Sequence, residues 1–251
     1  MIISSQKELY KLQAIGEIVA NCLKTMTQSA QIGMSTQELD AIGAHYLQEH
    51  GAESAPIKDY QFPGTTCISV NQCAAHGIPS KEVILRDGDL VNIDVSAVKD
   101  GIYADTGATF GLGNTSSQLK DLMKATRQTL NRATERARAG EKLSIIGKTI
   151  EKGAGNKYTV IRNLCSHGVG KSLHEEPDQI LPYFDPKDPR YLQENMVITI
   201  EPFLSTGTQF VDDGKDGWAL LNKAGCFSAQ YEHTMVIRKG KGPLVITQPT
   251  I

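Results

Sequence analysis

The sequence predicts an α+β protein of two similar halves about a pseudo-two-fold axis, with its functional site where the two sheets meet. Two observations point there. The chain runs twice through one order of features: long helix, short helix, His-Gly, acid, acid. The first pass ends near residue 115 and the second fills 116–251. In addition, four acidic residues, Asp94, Asp105, Glu201 and Glu232, fall inside runs with strand-like composition, where carboxylates are depleted and costly to bury unpaired.

The elements follow in order. Leu9, Leu12, Ile15, Val19, Leu23 and Met26 recur at helical spacing and predict one long amphipathic helix. After Gly33, Ser35-x-x-Glu38 is a capping box that opens a second helix ending near Gly51. In the second half, Leu119, Leu122, Met123, Ala125 and Leu130 predict a long helix from about Ser117 to Ala139. Gly140 breaks it, and a shorter helix follows through "LSIIGKTIEKG". The short helices share a phrase, "LDAIG" at 39–43 and "LSIIG" at 143–147. Downstream, "HGIP" at 76–79 answers "HGVG" at 167–170. No linker or low-complexity tract separates the halves, so 1–251 is expected to be a single catalytic domain.

In "VNIDVSAVKDGIYADTG" (91–107), Val91, Ile93, Val95 and Ala97 alternate with Asn92, Asp94 and Ser96, the period of a half-buried strand. Asp100-Gly101 is a two-residue hairpin turn, so Lys99 pairs with Ile102. Parity then places Asp94 and Asp105 on one face, diagonal by two positions and within reach of each other. Like charges so placed repel unless a cation lies between them.

Two more acids and a histidine extend the pattern. In "VITIEPF", Val197, Thr199 and Glu201 share a face and Pro202 stops the ladder. In "SAQYEHTMVI", a ten-residue β-rich run, Gln230, Glu232 and Thr234 share a face. His167 sits between Ser166 and Gly168, which leave its imidazole approachable. Each residue taken singly has a plain alternative: a turn-flanking Asp, an edge-strand Glu, a hydrogen-bonded loop His. One His with four carboxylates, in duplicated order, instead reads as a hard, oxygen-rich ligand set suited to Mn²⁺, Fe²⁺, Co²⁺ or Zn²⁺. Five ligands exceed the needs of one catalytic ion, and two bridged ions would balance the charge.

Composition narrows the alternatives. A net charge of −2 and a pI near 6.3 give no basic surface that asks for nucleic acid or anionic lipid. The five cysteines form no CxxC pair and are odd in number, which argues against a disulfide framework or zinc knuckle. Lys7, Glu8, Lys11 and Glu17 interrupt every N-terminal apolar run, so neither signal peptide nor membrane span is expected, and the cytoplasm is the expected location.

These motifs, with "HGVGKSLHEEP", "ITIEPF" and "QYEHT", strongly resemble type I methionine aminopeptidases over essentially the whole chain, from "ELDAI" to "EHTMVI". The resemblance implies the pita-bread fold, two divalent metal ions, and removal of the initiator methionine from nascent chains whose second residue is small. It implies that Asp94 chelates one metal, that His167 and Glu201 bind the other, and that Asp105 and Glu232 bridge them. Glu201 would also be the general base. His76 and His174 would touch the substrate amide rather than metal. Tyr60, Phe62, Cys67, Leu173 and Trp218 would line the methionine pocket, although Trp218 reads equally as a core aromatic. A thioether contacts aromatic rings favourably.

Three departures stand out: Ser166 for a usual Gly, Tyr103-Ala104 for a frequent His-Gly, and Leu173 for a frequent Phe. The first two are expected to alter loop geometry and metal affinity, the third to widen the pocket. Only 26 residues separate His174 from Glu201, too few for the insertion of type II enzymes. With no N-terminal extension expected before the first helix, this resembles the minimal bacterial-type form. A monomer acting without nucleic acid or membrane is expected, and ribosome docking is left open. Two rivals remain: a proline-directed aminopeptidase or prolidase relative, set apart by a large N-terminal domain, and a non-enzymatic binding protein on the same fold, set apart by lost ligands.

Overall fold

Leu12, Ile15, Val19, Cys22 and Met26 form the fully buried stripe of helix α1 (Gln6–Ser29), which opens on Ser5 accepting the Glu8 N–H. Fully burying one such side chain contributes about 1.5–3 kcal/mol. The structure, a computed structural model, describes residues 1–249; the last two positions of the second expected repeat lie outside that range. Helix α2 (Thr36–Glu49) begins with the predicted capping box: the Ser35 hydroxyl accepts the Glu38 N–H at 3.2 Å, and the Glu38 carboxylate accepts the Ser35 N–H at 2.8 Å. A short helix α3 (Ala55–Tyr60), capped by Ser54 and started by Pro56, was not foreseen from periodicity. It is too short to show any.

Helix α4 (Ser117–Arg136) ends three residues before the predicted Ala139. Ala137 leaves helical geometry at φ −78°, ψ 83°, and the Ala139 and Gly140 N–H groups turn instead to the carbonyls of Arg238 and Leu192. Helix α5 (Ser144–Ala154) packs beside it. No described helix is long and apolar enough to cross a membrane. The near-neutral net charge conceals one local asymmetry: exposed Arg132, Arg136, Lys148 and Lys152 line a groove between α4 and α5 with Glu135 as its one acidic member.

The hairpin forms as predicted. Strands Leu90–Lys99 and Ile102–Gly111 pair with Lys99 opposite Ile102, and Asp100 (φ 51°) and Gly101 (φ 75°) take the left-handed conformations of a two-residue turn. Its first strand is the centre of a four-stranded antiparallel sheet with Glu53–Ser54 and Cys67–Val70. The half-buried expectation needs correcting, because this strand is buried on both faces. Val91, Ile93, Val95 and Ala97 join the α1–α2 core, while Asn92, Asp94 and Ser96 face the second half of the chain.

The second half supplies a five-stranded sheet ordered Leu244–Val245, His233–Val236, Val197–Ile200, Ser166–Gly168, Glu175–Ile180. It also supplies a three-stranded sheet of Ser228–Gln230, Phe203–Ser205 and Thr159–Val160. The ten-residue run 228–237 is therefore two strands broken at Tyr231-Glu232, matching the break at Glu201-Pro202. A second core of Leu122, Leu130, Ile146, Ile150, Ile198 and Ile200 lies under α4 and α5. Side chains close the seam between the halves. Thr109 Oγ1 donates to Gln230 O at 2.8 Å, Thr106 Oγ1 donates to Glu232 O at 2.9 Å, and the Glu232 N–H donates to Gly107 O at 2.9 Å.

Candidate metal centre

The hairpin register fixes the first two acids. Asp94 pairs with Gly107 and Asp105 with Ser96, so the carboxylates sit diagonally on one face. Opposite Asp94, a Cβ on Gly107 would lie 2.4 Å from Gln230 Oε1. The bare glycine admits the Gln230 side chain, which accepts from Asn92 Nδ2 at 2.8 Å and donates to Glu232 Oε2 at 3.0 Å.

The second half brings the other three. Ile200 pairs with His233 and Phe203 with Gln230, so the register continues across the strand breaks and sets Glu201 opposite Glu232. His167 receives its orientation from the main chain: its N–H donates to Thr199 Oγ1 at 3.1 Å, and its Nδ1 lies 3.0 Å from Gly168 O. That leaves Nε2 facing the acids, 3.4 Å from Glu201 Oε1 and 3.9 Å from Asp105 Oδ2. Ser166, a departure from the family pattern, accepts the Glu201 N–H at 3.0 Å and so ties two candidate ligands together.

The electrostatics fit a cation. Asp105, His167 and Glu232 each offer an atom within 4.8 Å of the others, all buried. Burial pushes the Asp94 carboxyl up to about 6; burial, then the neighbouring carboxylates, hold Asp105, Glu201 and Glu232 well above the usual carboxylate range. Burial, then His174, lowers His167 to about 3, keeping it a neutral ligand imidazole. Among the described residues, the ion pairs of lysine and arginine all lie elsewhere. Asp105 Oδ1 and Glu232 Oε1 are buried without a hydrogen-bond partner. Two unit charges 4 Å apart repel by roughly 4 kcal/mol at an effective dielectric of 20, so the cluster as built calls for positive charge.

One cavity of about 450 Å³ opens onto this cluster. It is lined by Asp94, Asp105, His167 and Glu201 together with Tyr60, Phe62, Cys67, His76, Leu173, His174 and Trp218; Glu232 sits behind it. Phe62 and half-buried Trp218 meet edge to face at 5.2 Å. His174 lies 4.2 Å from the His167 ring and accepts from or donates to the Tyr60 hydroxyl at 2.6 Å through Nδ1. The sequence reading missed Ser96, Asn163, Leu164, Cys165 and Phe203, which also line the cavity. Ser96, on the face of Asp94, and Cys165, next to Ser166-His167, were within reach of strand parity and adjacency; Asn163 and Leu164 carry no such signal.

A sequence model of metallopeptidase family M24 matches residues 10–239. The chain belongs to metallopeptidase family M24. Among its relatives within M24 territory, it is 48% identical to "Methionine aminopeptidase" of Staphylococcus epidermidis, with 99% of each chain covered. It is 44% identical to "Methionine aminopeptidase 2" of Bacillus subtilis, covering 99% of this chain and 100% of the relative. The crystal structure of the Thermotoga maritima methionine aminopeptidase superposes with a TM-score of 0.93 at 31% identity, covering 99% of this chain and 100% of that one. A prolidase from Pyrococcus furiosus shares the fold alone, with a TM-score of 0.76 at 23% identity; all of this chain covers 66% of it. The M24 fold is the predicted pita-bread fold, membership makes the chain a metallopeptidase, and the buried cluster is its candidate site for a divalent metal.

Proposed function

We propose that this M24 enzyme is a methionine aminopeptidase that removes the initiator methionine when the second residue is small. The observation that carries the reading is the meeting, in one cavity, of the acid–histidine cluster with an apolar pocket of Phe62, Cys67, Leu173 and Trp218. Relatives of that name matched over their full length support it.

Asp94, Asp105, His167 (through Nε2), Glu201 and Glu232 would hold two ions, drawn from Fe²⁺, Mn²⁺, Co²⁺ or Zn²⁺. Bound there, divalent ions lower the pKa of water, polarise a carbonyl and anchor a free amine. The protein does the rest. Glu201 takes the proton of the attacking water and carries it toward the leaving amine. His76 and His174 present their imidazoles to the scissile amide, and the apolar pocket receives the methionine side chain. The same histidines crowd the second residue, and small misplacements of a reacting group can cost on the order of 10²-fold. The enzyme acts on nascent chains in the cytoplasm, a setting in which its five free cysteines stay reduced.

The test compares kcat/KM on one metal-loaded preparation. Met-Gly, Met-Ala and Met-Ser peptides are cleaved well, Met-Leu, Met-Lys and Met-Phe poorly, and Xaa-Pro peptides whose first residue is not methionine, like N-acetylated peptides, not at all. Equal values for Met-Ala and Met-Phe would overturn the substrate rule; preferred cleavage of Xaa-Pro would favour a prolidase.

A further inference from the structure

His167 and His174 are joined by a six-residue strap, residues 168–173, that carries cavity-lining Leu173 at its end. Most of the strap lies outside regular strand, so its place depends on individual bonds. Two of them come from one residue of the hairpin, Tyr103. Its N–H donates to Gly170 O at 2.8 Å. Its hydroxyl donates to Asp59 Oδ1 at 2.9 Å, and Asp59 Oδ2 accepts the Leu173 N–H at 3.3 Å. Tyr103 is buried and stands two residues before Asp105, on the strand that helps form the acidic cluster. Asp59 lies at the end of α3, next to Tyr60, whose own hydroxyl meets His174 Nδ1.

We propose that Tyr103 and Asp59 act as a pair of positioning residues: Tyr103 fixes the Asp59 carboxylate, and Asp59 holds Leu173, setting Leu173 and His174 against the acidic cluster. Neither residue touches the cavity. Alone, an exposed carboxylate at the end of a six-residue helix has many rotamers and would hold an N–H weakly. Anchored on a buried hydroxyl, it has one. The two departures Tyr103 and Leu173 thereby become the ends of one hydrogen-bonded chain, running from the strand of the acidic cluster to the wall of the substrate cavity.

The kinetic arm of the test rests on the aminopeptidase reading; the structural arm does not. Tyr103→Phe keeps the ring and the backbone N–H and removes one donor. Asp59→Ala removes the acceptor. Hydrogen exchange of the Leu173 amide and kcat and KM for Met-Ala-Ser are measured on wild type, both single variants and the double variant, each at equal metal content. Each single variant accelerates Leu173 exchange about tenfold and lowers kcat about tenfold with the smaller change in KM, because a displaced His174 acts mainly on the transition state. The double variant is no worse than Asp59→Ala, since both remove one unit. Wild-type exchange at Leu173 in Tyr103→Phe, or losses that multiply in the double variant, would overturn the proposal. If wild type fails to cleave Met-Ala-Ser, the aminopeptidase reading falls, and the exchange rates alone decide the positioning role.

Discussion

Glu201 and Glu232 stand opposite each other at the single break in an otherwise continuous antiparallel ladder, between the pairs Ile200–His233 and Phe203–Gln230. Like charges directly opposite are destabilising, and here Glu232 is buried and Glu201 largely so. The ladder opens where Pro202 lacks an N–H, and the gap is where the two halves present their acids to one centre. A cation at this point would relieve the repulsion and join the sheets.

Metal should therefore stabilise the fold as well as activate it. Exhaustive chelation abolishes turnover; Mn²⁺, Fe²⁺ or Co²⁺ restores it, and Mg²⁺ or Ca²⁺ restores it poorly because the His167 nitrogen suits neither. Thermal unfolding of the same samples shows a higher Tm with the restoring ions, a gain of about 2.7 kcal/mol at a hundredfold excess over Kd. Full activity in verified metal-free protein would contradict the site.

The metal-free protein should also lose stability as pH rises. The carboxyls of Asp94, Asp105, Glu201 and Glu232 are raised in the fold by burial, Asp94 to about 6, and in Asp105, Glu201 and Glu232 repulsion from neighbouring carboxylates adds to it. An acid with a raised folded pKa is more protonated in the native than in the unfolded chain, so stability is greatest below the unfolded value near 4 and falls as pH climbs through the folded one. Urea midpoints of chelated protein between pH 4.5 and pH 7, corrected for other titrations by a Glu232→Gln control, measure it. A midpoint that rises across that window in the wild type alone would refute the sign.

Glu201→Gln should leave a folded protein with turnover reduced roughly 10²–10⁴-fold, the usual size of general-base loss. The Ser166 bond goes to the Glu201 backbone and survives the change. Circular dichroism checks the fold and metal analysis the loading; near-normal kcat in the loaded variant would remove Glu201 from its assigned role.

Thr234 and Asp105 exchange two bonds across the seam: the Asp105 N–H donates to Thr234 Oγ1 at 3.0 Å, and Thr234 Oγ1 donates to Asp105 O at 2.8 Å. Thr234→Val keeps the shape and strands two buried backbone groups, each costing about 1–3 kcal/mol. Denaturant unfolding should show a loss of about 2 kcal/mol or more, with weaker metal binding as Asp105 loosens. Unchanged stability would mean that the seam is held elsewhere.

What the sequence determined by itself was local. A two-residue turn and strand parity sufficed to put Asp94 and Asp105 on one face, because side chains alternate with a fixed period of two. The capping box at Ser35 and Glu38 was legible because its partners are three residues apart. The members of the acidic cluster were legible because carboxylates in strand patterns demand an explanation. Only the tertiary structure decided who stands beside whom. It set Glu201 against Glu232, buried the Asp94 face of its strand against the second half, ended α4 at Arg136, and gave Ser166 the Glu201 N–H. It also strung Tyr103, Asp59 and Leu173 into one chain, the last two 114 positions apart in sequence. Such bonds join single side chains to distant backbone groups; they have no period, and so they leave no pattern to read before the chain has folded.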